Sequence, residues 1–164
     1  MENIQLKKSD SVLKFGILDE EGKETGEFIT FDVEDIELPL KLAEAEKKHK
    51  ANLRDIKAQL IIIDKKQDEK GDGILSKNER EKYNALKEFY KREEETLDLF
   101  LGEGGTKKLL NGRNPYYTMY DDINEMLKPI LPKLTKTTDD VIKSIKNKYK
   151  IEEKDEGVLE IDDQ

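Results

Sequence analysis

The stretch Leu38-Pro-Leu-Lys-Leu-Ala-Glu-Ala-Glu-Lys-Lys-His-Lys-Ala-Asn-Leu-Arg-Asp-Ile-Lys-Ala-Gln-Leu-Ile-Ile-Ile63 decides how this chain is read. Leu42, Ala45, His49, Leu53, Ile56, Leu60 and Ile63 recur three or four positions apart, which puts them on one face of a helix. The positions between them are mostly Lys, Glu, Asp and Gln. The pattern predicts a helix of about seven turns, with Pro39 in the first turn, where its missing N–H costs nothing. A second helix is predicted from Ser76, because Ser76-Lys-Asn-Glu79 has the form of a capping box. Its apolar stripe is Tyr83, Leu86, Phe89, Tyr90, Leu97, Phe100 and Leu101. Two long amphipathic helices joined by a short loop fold back on each other as an antiparallel αα-hairpin.

Upstream the period changes. Residues 4–33 alternate in the manner of strands: Val12, Leu13, Phe15, Ile17 and Leu18 lead into the polar turn Asp19-Glu20-Glu21-Gly22-Lys23. Phe28, Ile29, Phe31 and Val33 follow, so the segment reads as a β-hairpin. A lone hairpin is marginal in water and has to pack on the helices or pair its edge with another sheet.

Downstream, Gly102-Glu-Gly-Gly105 ends the second long helix, and a short helical stretch, Thr106 to Leu110, precedes the breaker cluster Asn111-Gly-Arg-Asn-Pro115. Tyr116 to Leu127 is again helical in pattern, with Met119, Tyr120, Ile123, Met126 and Leu127 on one side. Pro129 and Pro132 are expected to bend or end it. Thr137 or Thr138, with Asp139, is expected to cap a short helix running to Tyr149, with Val141, Ile142, Ile145 and Tyr149 as its apolar residues. From Ile151 the chain turns acidic and reads as a disordered tail. The fold class is therefore mainly α with a small N-terminal β-hairpin (α+β), in three parts: a hairpin over 1–36, a helical domain over 37–150 and a tail over 151–164.

Composition narrows function. Of 164 residues, 35% are hydrophobic and 41% charged, which suits narrow helical stripes under solvated outer faces better than a thick core. The net charge of −8 argues against nucleic acid, whose phosphates call for a basic surface. The absence of cysteine removes disulfides, thiol nucleophiles and thiolate metal sites. No apolar run approaches the length of a membrane span, and the N-terminus lacks the apolar core of a signal peptide.

The sharpest local motif is Asp68-Glu-Lys-Gly-Asp-Gly-Ile-Leu-Ser-Lys-Asn-Glu79. Numbered as an EF-hand loop, Asp68 and Asp72 take the first and fifth positions, Gly73 the turn, Ile74 a backbone carbonyl, Ser76 the ninth position and Glu79 the bidentate twelfth. Lys70 stands at the third position, where a cation site needs an oxygen, and brings a positive charge instead. Calcium binding by Asp68, Asp72, Ile74, Ser76 and Glu79 thus competes with a plainer and preferred reading, a polar interhelix turn followed by an N-cap. His49, the one histidine, lies on an apolar stripe with no evident partner for acid–base work and reads as a packed or interfacial residue. Gly102-Glu-Gly-Gly-Thr-Lys107 lacks the spacing and the preceding strand of a phosphate loop, so it reads as the end of one helix and the start of the next. Pro115-Tyr-Tyr-Thr-Met-Tyr120, continued by Met126, reads first as core packing and second as an adaptable surface for a hydrophobic helix. The expectation is a protein that is not an enzyme and has no cofactor.

One segment carries a resemblance. A long helix ending in Leu97-Asp-Leu-Phe-Leu-Gly-Glu-Gly-Gly105, a short helix with an Asn111-Gly-Arg-Asn turn, and Met119-Tyr-Asp-Asp122 opening another helix resemble small proteins of long-tailed phages and prophages of Gram-positive bacteria, the tail assembly chaperones. The hairpin Phe15-Gly-Ile-Leu-Asp19 to Gly26-Glu-Phe-Ile-Thr-Phe-Asp32 and the helix opening Asp35-Ile-Glu-Leu-Pro-Leu-Lys-Leu42 are similar too, so the likeness spans about residues 10–135. It implies a non-catalytic protein in the cytoplasm of the bacterial host that binds the tape-measure protein, assists assembly of the tail-tube protein and self-associates. The alternatives are a calcium-binding helical module and a minor structural protein of the phage.

Overall fold

A computed structural model of the chain describes residues 11–149. Residues 4–10 of the expected strand pattern and the acidic tail over 151–164 lie outside the described residues.

Strands β1 (Val12–Leu18) and β2 (Glu24–Asp32) form an antiparallel two-stranded sheet in which Leu13 faces Phe31 and Phe15 faces Ile29. The turn is built by Asp19, whose carboxylate accepts from the backbone N–H groups of Glu21 (2.9 Å) and Lys23 (2.8 Å). A register irregularity between Gly16 and Leu18 is bridged by the Thr25 hydroxyl, which donates to the Ile17 carbonyl at 2.9 Å. Alternation then puts Ile17, Ile29 and Phe31 on the buried face, while Leu18 and Phe28 are exposed.

Helices α1 (Glu37–Asp64) and α2 (Lys77–Leu101) form the long antiparallel pair. The capping box at the start of α2 is complete: the Ser76 hydroxyl accepts from the Glu79 N–H, and the Glu79 carboxylate accepts from the Ser76 N–H at 2.7 Å. At its other end Gly102 adopts a φ of 87° that side chains rarely tolerate and closes the helix. Of the expected stripe positions, Ala45, His49, Ile56, Ile63, Phe89, Leu97, Phe100 and Leu101 are buried, whereas Tyr83 is 60% exposed.

Three helices complete the chain: α3 (Gly105–Leu110), α4 (Met119–Leu127) and α5 (Leu131–Tyr149). Two expectations from the sequence need correction. Helix α4 begins three residues after Tyr116, because Tyr116 to Thr118 form a turn closed by the Met119 N–H donating to the Tyr116 carbonyl at 3.1 Å. The last helix does not start at Thr137 or Thr138; it runs unbroken from Leu131, with Pro132 in its first turn. Proline is tolerated there since first-turn N–H groups have no helical acceptor, so this proline opens a helix and does not end one.

The apolar interior is divided. The larger cluster joins the hairpin (Ile17, Ile29, Phe31), both long helices (Leu38, Ala45, Leu97, Phe100, Leu101), Leu110 of α3 and Met119, Tyr120, Ile123 and Leu127 of α4. A smaller one, Ile56, Ile63, Ala85 and Phe89, sits at the loop end of the helical pair. The two are separated by a buried polar layer.

Candidate functional site

Helix periodicity creates that polar layer. On α1, His49 and Asn52 occupy the stripe between Ala45 and Ile56; on α2, Glu93 and Thr96 occupy it between Phe89 and Leu97. Glu93 is only 3% exposed, and both its oxygens are engaged: one lies 2.6 Å from His49 Nδ1, and the other accepts from Asn52 Nδ2 at 2.7 Å. Asn52 Nδ2 also reaches Thr96 Oγ1 at 3.2 Å, and that hydroxyl donates to the Arg92 carbonyl at 2.7 Å. A buried carboxylate is tolerated when its lone pairs are filled in this way. The His49 ring stacks on Tyr120 of α4 with centroids 3.8 Å apart and planes 4° from parallel, and its Nε2 faces Asp121 at 3.9 Å. Burial, followed by the charges of Glu46, Glu93 and Asp121, pushes the Tyr120 phenol up to about 12. Helical spacing puts His49 on the buried face but names no partner for it. Glu93 follows Phe89 and precedes Leu97 at four-residue intervals, and that spacing alone would have put this carboxylate inside.

Next to the larger cluster lies an apolar groove of about 530 Å³ between the hairpin and the C-terminal helices. Ile17, Ile29, Phe31 and Leu101 form its floor, and Leu109, Met126, Leu127, Pro129 and Ile130 form one wall. Its rim is open to solvent at Phe15 (37% exposed), Leu18 (57%) and Met126 (49%). Past Leu18 and Leu109 it adjoins a polar recess lined by Asp19, Glu20, Glu21, Asn111 and Arg113. There Arg113 Nε and Glu20 Oε1, 3.2 Å apart, tie the loop after α3 to the hairpin turn. Met126, which helical spacing puts on the packed side with Ile123 and Leu127, stands half out of it as part of this rim. No periodicity within one segment announces the groove, because its walls come from opposite ends of the chain.

The turn between α3 and its predecessor is held by Asp98. Its carboxylate accepts from the N–H groups of Gly104 (2.9 Å) and Thr106 (2.8 Å) and from the Thr106 hydroxyl (2.6 Å). Thr106 is fully buried. The glycine-rich run is therefore the end of one helix and the start of the next, with an aspartate as the connecting bracket.

The residues named for calcium lie in the exposed loop between α1 and α2. Asp68 Oδ1 accepts from the N–H groups of Glu69 (2.9 Å) and Asn78 (3.1 Å). A hydrogen bond from the Ser76 hydroxyl, then the Asn78 N–H, hold the Asp68 carboxyl below its ordinary value. Ser76 and Glu79 are joined by the capping box, Asp72 accepts through its backbone carbonyl from Arg80 Nη2 at 3.2 Å, and Ile74 is fully exposed. Asp68, Ser76 and Glu79 are thus brought together around the start of α2, each directed at a backbone or hydroxyl donor. Among the described residues no three His, Asp or Glu side chains gather in a way that could hold a metal ion.

Fold and site define a helical hairpin that carries a β-hairpin at one end and an open apolar groove beside it. No family model matches the chain, and neither a curated protein nor a solved structure matches it. Among the described residues no helix is long and apolar enough to cross a membrane.

Proposed function

We propose that this chain is a non-catalytic assembly chaperone of a long-tailed phage or prophage, which binds the tape-measure protein through the groove between hairpin and α4 and assists the tail-tube protein in assembling around it. The observation that supports this most is the groove itself: an apolar floor and an exposed rim of Phe15, Leu18 and Met126, the kind of surface on which an amphipathic helix lays its apolar face. Methionine at the rim suits a partner whose side chains vary along its length. A net charge of −8 keeps such a complex in solution while the groove is occupied. The calcium reading has less in its favour, since the Asp68 and Glu79 carboxylates already serve the turn and the cap.

Co-expression with the tape-measure protein of the same phage tests the reading. The wild-type chain is expected to raise the soluble fraction of that protein, and the double variant Leu18→Glu with Met126→Glu to abolish the effect while remaining folded. No gain in solubility with the wild type would refute the proposal. Purified virions distinguish the chaperone from a minor structural component, because only the latter stays in the finished particle.

A further inference from the structure

We propose that His49 is a proton-operated latch that fastens α4 to the helical pair and thereby sets the width of the apolar groove. Three elements meet at this imidazole. Helix α2 presents Glu93, helix α4 presents Tyr120 and Asp121, and α1 itself presents Glu46, which is paired with Lys50 at 2.5 Å. Arg92, next to Glu93, is turned to Asp55 at 3.4 Å, and among the described residues His49 alone pairs with Glu93 as a cation.

The charge count follows from these contacts. Glu93 accepts from His49 and from the neutral amide of Asn52, so only the imidazole can balance its charge. With a proton on both nitrogens, the ring donates to Glu93 from Nδ1 and attracts Asp121 from Nε2. With one proton it serves Glu93 alone, and the bare Nε2 lone pair then faces the Asp121 carboxylate, acceptor against acceptor. Loss of the proton also leaves the buried Glu93 carboxylate unbalanced at the imidazole on which the Tyr120 ring stacks. Both changes weaken the hold on α4 at its N-terminal end.

That end is coupled to the groove by helix geometry. Tyr120 stacks on His49, and Met126 and Leu127, about 9 Å further along the same axis, form the groove wall. A short helix released at one end tilts, and the wall moves with it. Protonation therefore narrows and orders the groove, and deprotonation loosens it. This rests on the groove being the binding surface only for its biological consequence; the latch itself is tested without any partner, so its failure and that of the chaperone reading are separate results.

The test is methionine-methyl NMR on the full chain, titrated from about pH 5 to about pH 8, where histidine exchanges its proton. Met119, beside Tyr120, reports local titration, and Met126 reports the groove wall. In the wild type both resonances are expected to shift with one midpoint, and in His49→Gln, which keeps a donor for Glu93 but has no proton to lose, both shifts are expected to vanish. Met119 titrating while Met126 stays still overturns the proposal, as does a Met126 shift that survives in His49→Gln. Should His49→Gln not fold, Asp121→Asn, whose native side chain is 71% exposed, serves instead. A Met126 shift cut by half or more supports the latch, and a smaller reduction or none overturns it.

Discussion

Glu93 and His49, 44 residues apart in the chain, approach to 2.6 Å at the centre of the α1–α2 interface, with an apolar cluster on either side. Two helices with apolar stripes alone could slide past each other by a turn at modest cost. A polar layer that is satisfied in one alignment only makes every other alignment expensive, since it strands a buried carboxylate. Glu93→Ala removes the acceptor for both His49 and Asn52 and is expected to cost about 3 kcal/mol, measured by urea unfolding. A cost under about 1 kcal/mol would mean that the layer contributes little to holding the pair in register.

The Asp98 bracket is the second point of leverage. Asp98→Ala loses three bonds at the α2–α3 turn and should cost about 2 kcal/mol, with faster amide exchange concentrated in Gly104 to Leu110. Asp98→Asn, which keeps an acceptor oxygen, should recover part of that stability. Uniformly faster exchange along the chain would show that the bracket is not local.

Tyr120 predicts an alkaline effect with a definite sign. Its phenol titrates at about 12 in the folded chain, against about 10 for an ordinary tyrosine. Between those values the folded state keeps a proton that the unfolded state releases, so this contribution is intact below about pH 10 and is lost as pH rises through about 12. Tyr120→Phe should flatten the alkaline limb of the stability curve and remove a step in tyrosinate absorbance near pH 12. An unchanged limb would contradict the assignment.

Asp68 acts in the opposite direction. Its carboxyl is held below its ordinary value by Ser76 and the Asn78 N–H, so the stability it adds to the loop is present above the usual carboxylate range and is lost as pH falls through the folded value. Carboxyl-carbon NMR should place its midpoint below the ordinary aspartate value, and Ser76→Ala should raise it. That same change removes the α2 cap and is expected to cost about 1 kcal/mol of stability.

The groove rim makes a separate prediction about stability. Met126 is 49% exposed and Leu18 57%, so glutamate at either position should change the melting temperature by only a few degrees. A collapse of the fold in either variant would show the rim to be part of the core.

Most of the architecture was legible along the chain because it is written in local periods. The two-residue alternation around Phe15 and Ile29 and the three-to-four spacing from Leu42 to Ile63 each bury one face, and each pattern is compatible with one kind of element. The Ser76 cap was equally legible, since donor and acceptor are three residues apart. Where local reading failed, at Pro132 and at the start of α4, the residues are compatible with opening or closing a helix, and packing decided between them.

By itself, the sequence determined the β-hairpin, the helical pair and the break between α2 and α3, all of which depend on neighbours within a few turns of chain. The tertiary structure alone decided that His49 has a carboxylate partner, that Tyr120 lies flat on its ring, and that Phe15, Leu101 and Met126 border one groove. Those residues are remote in the chain, His49 and Glu93 by 44 positions, and nothing in the period of one helix says which residue of another it will meet. Burial of both stripes brings the helices together, and the need to leave no buried charge unpaired then selects the alignment.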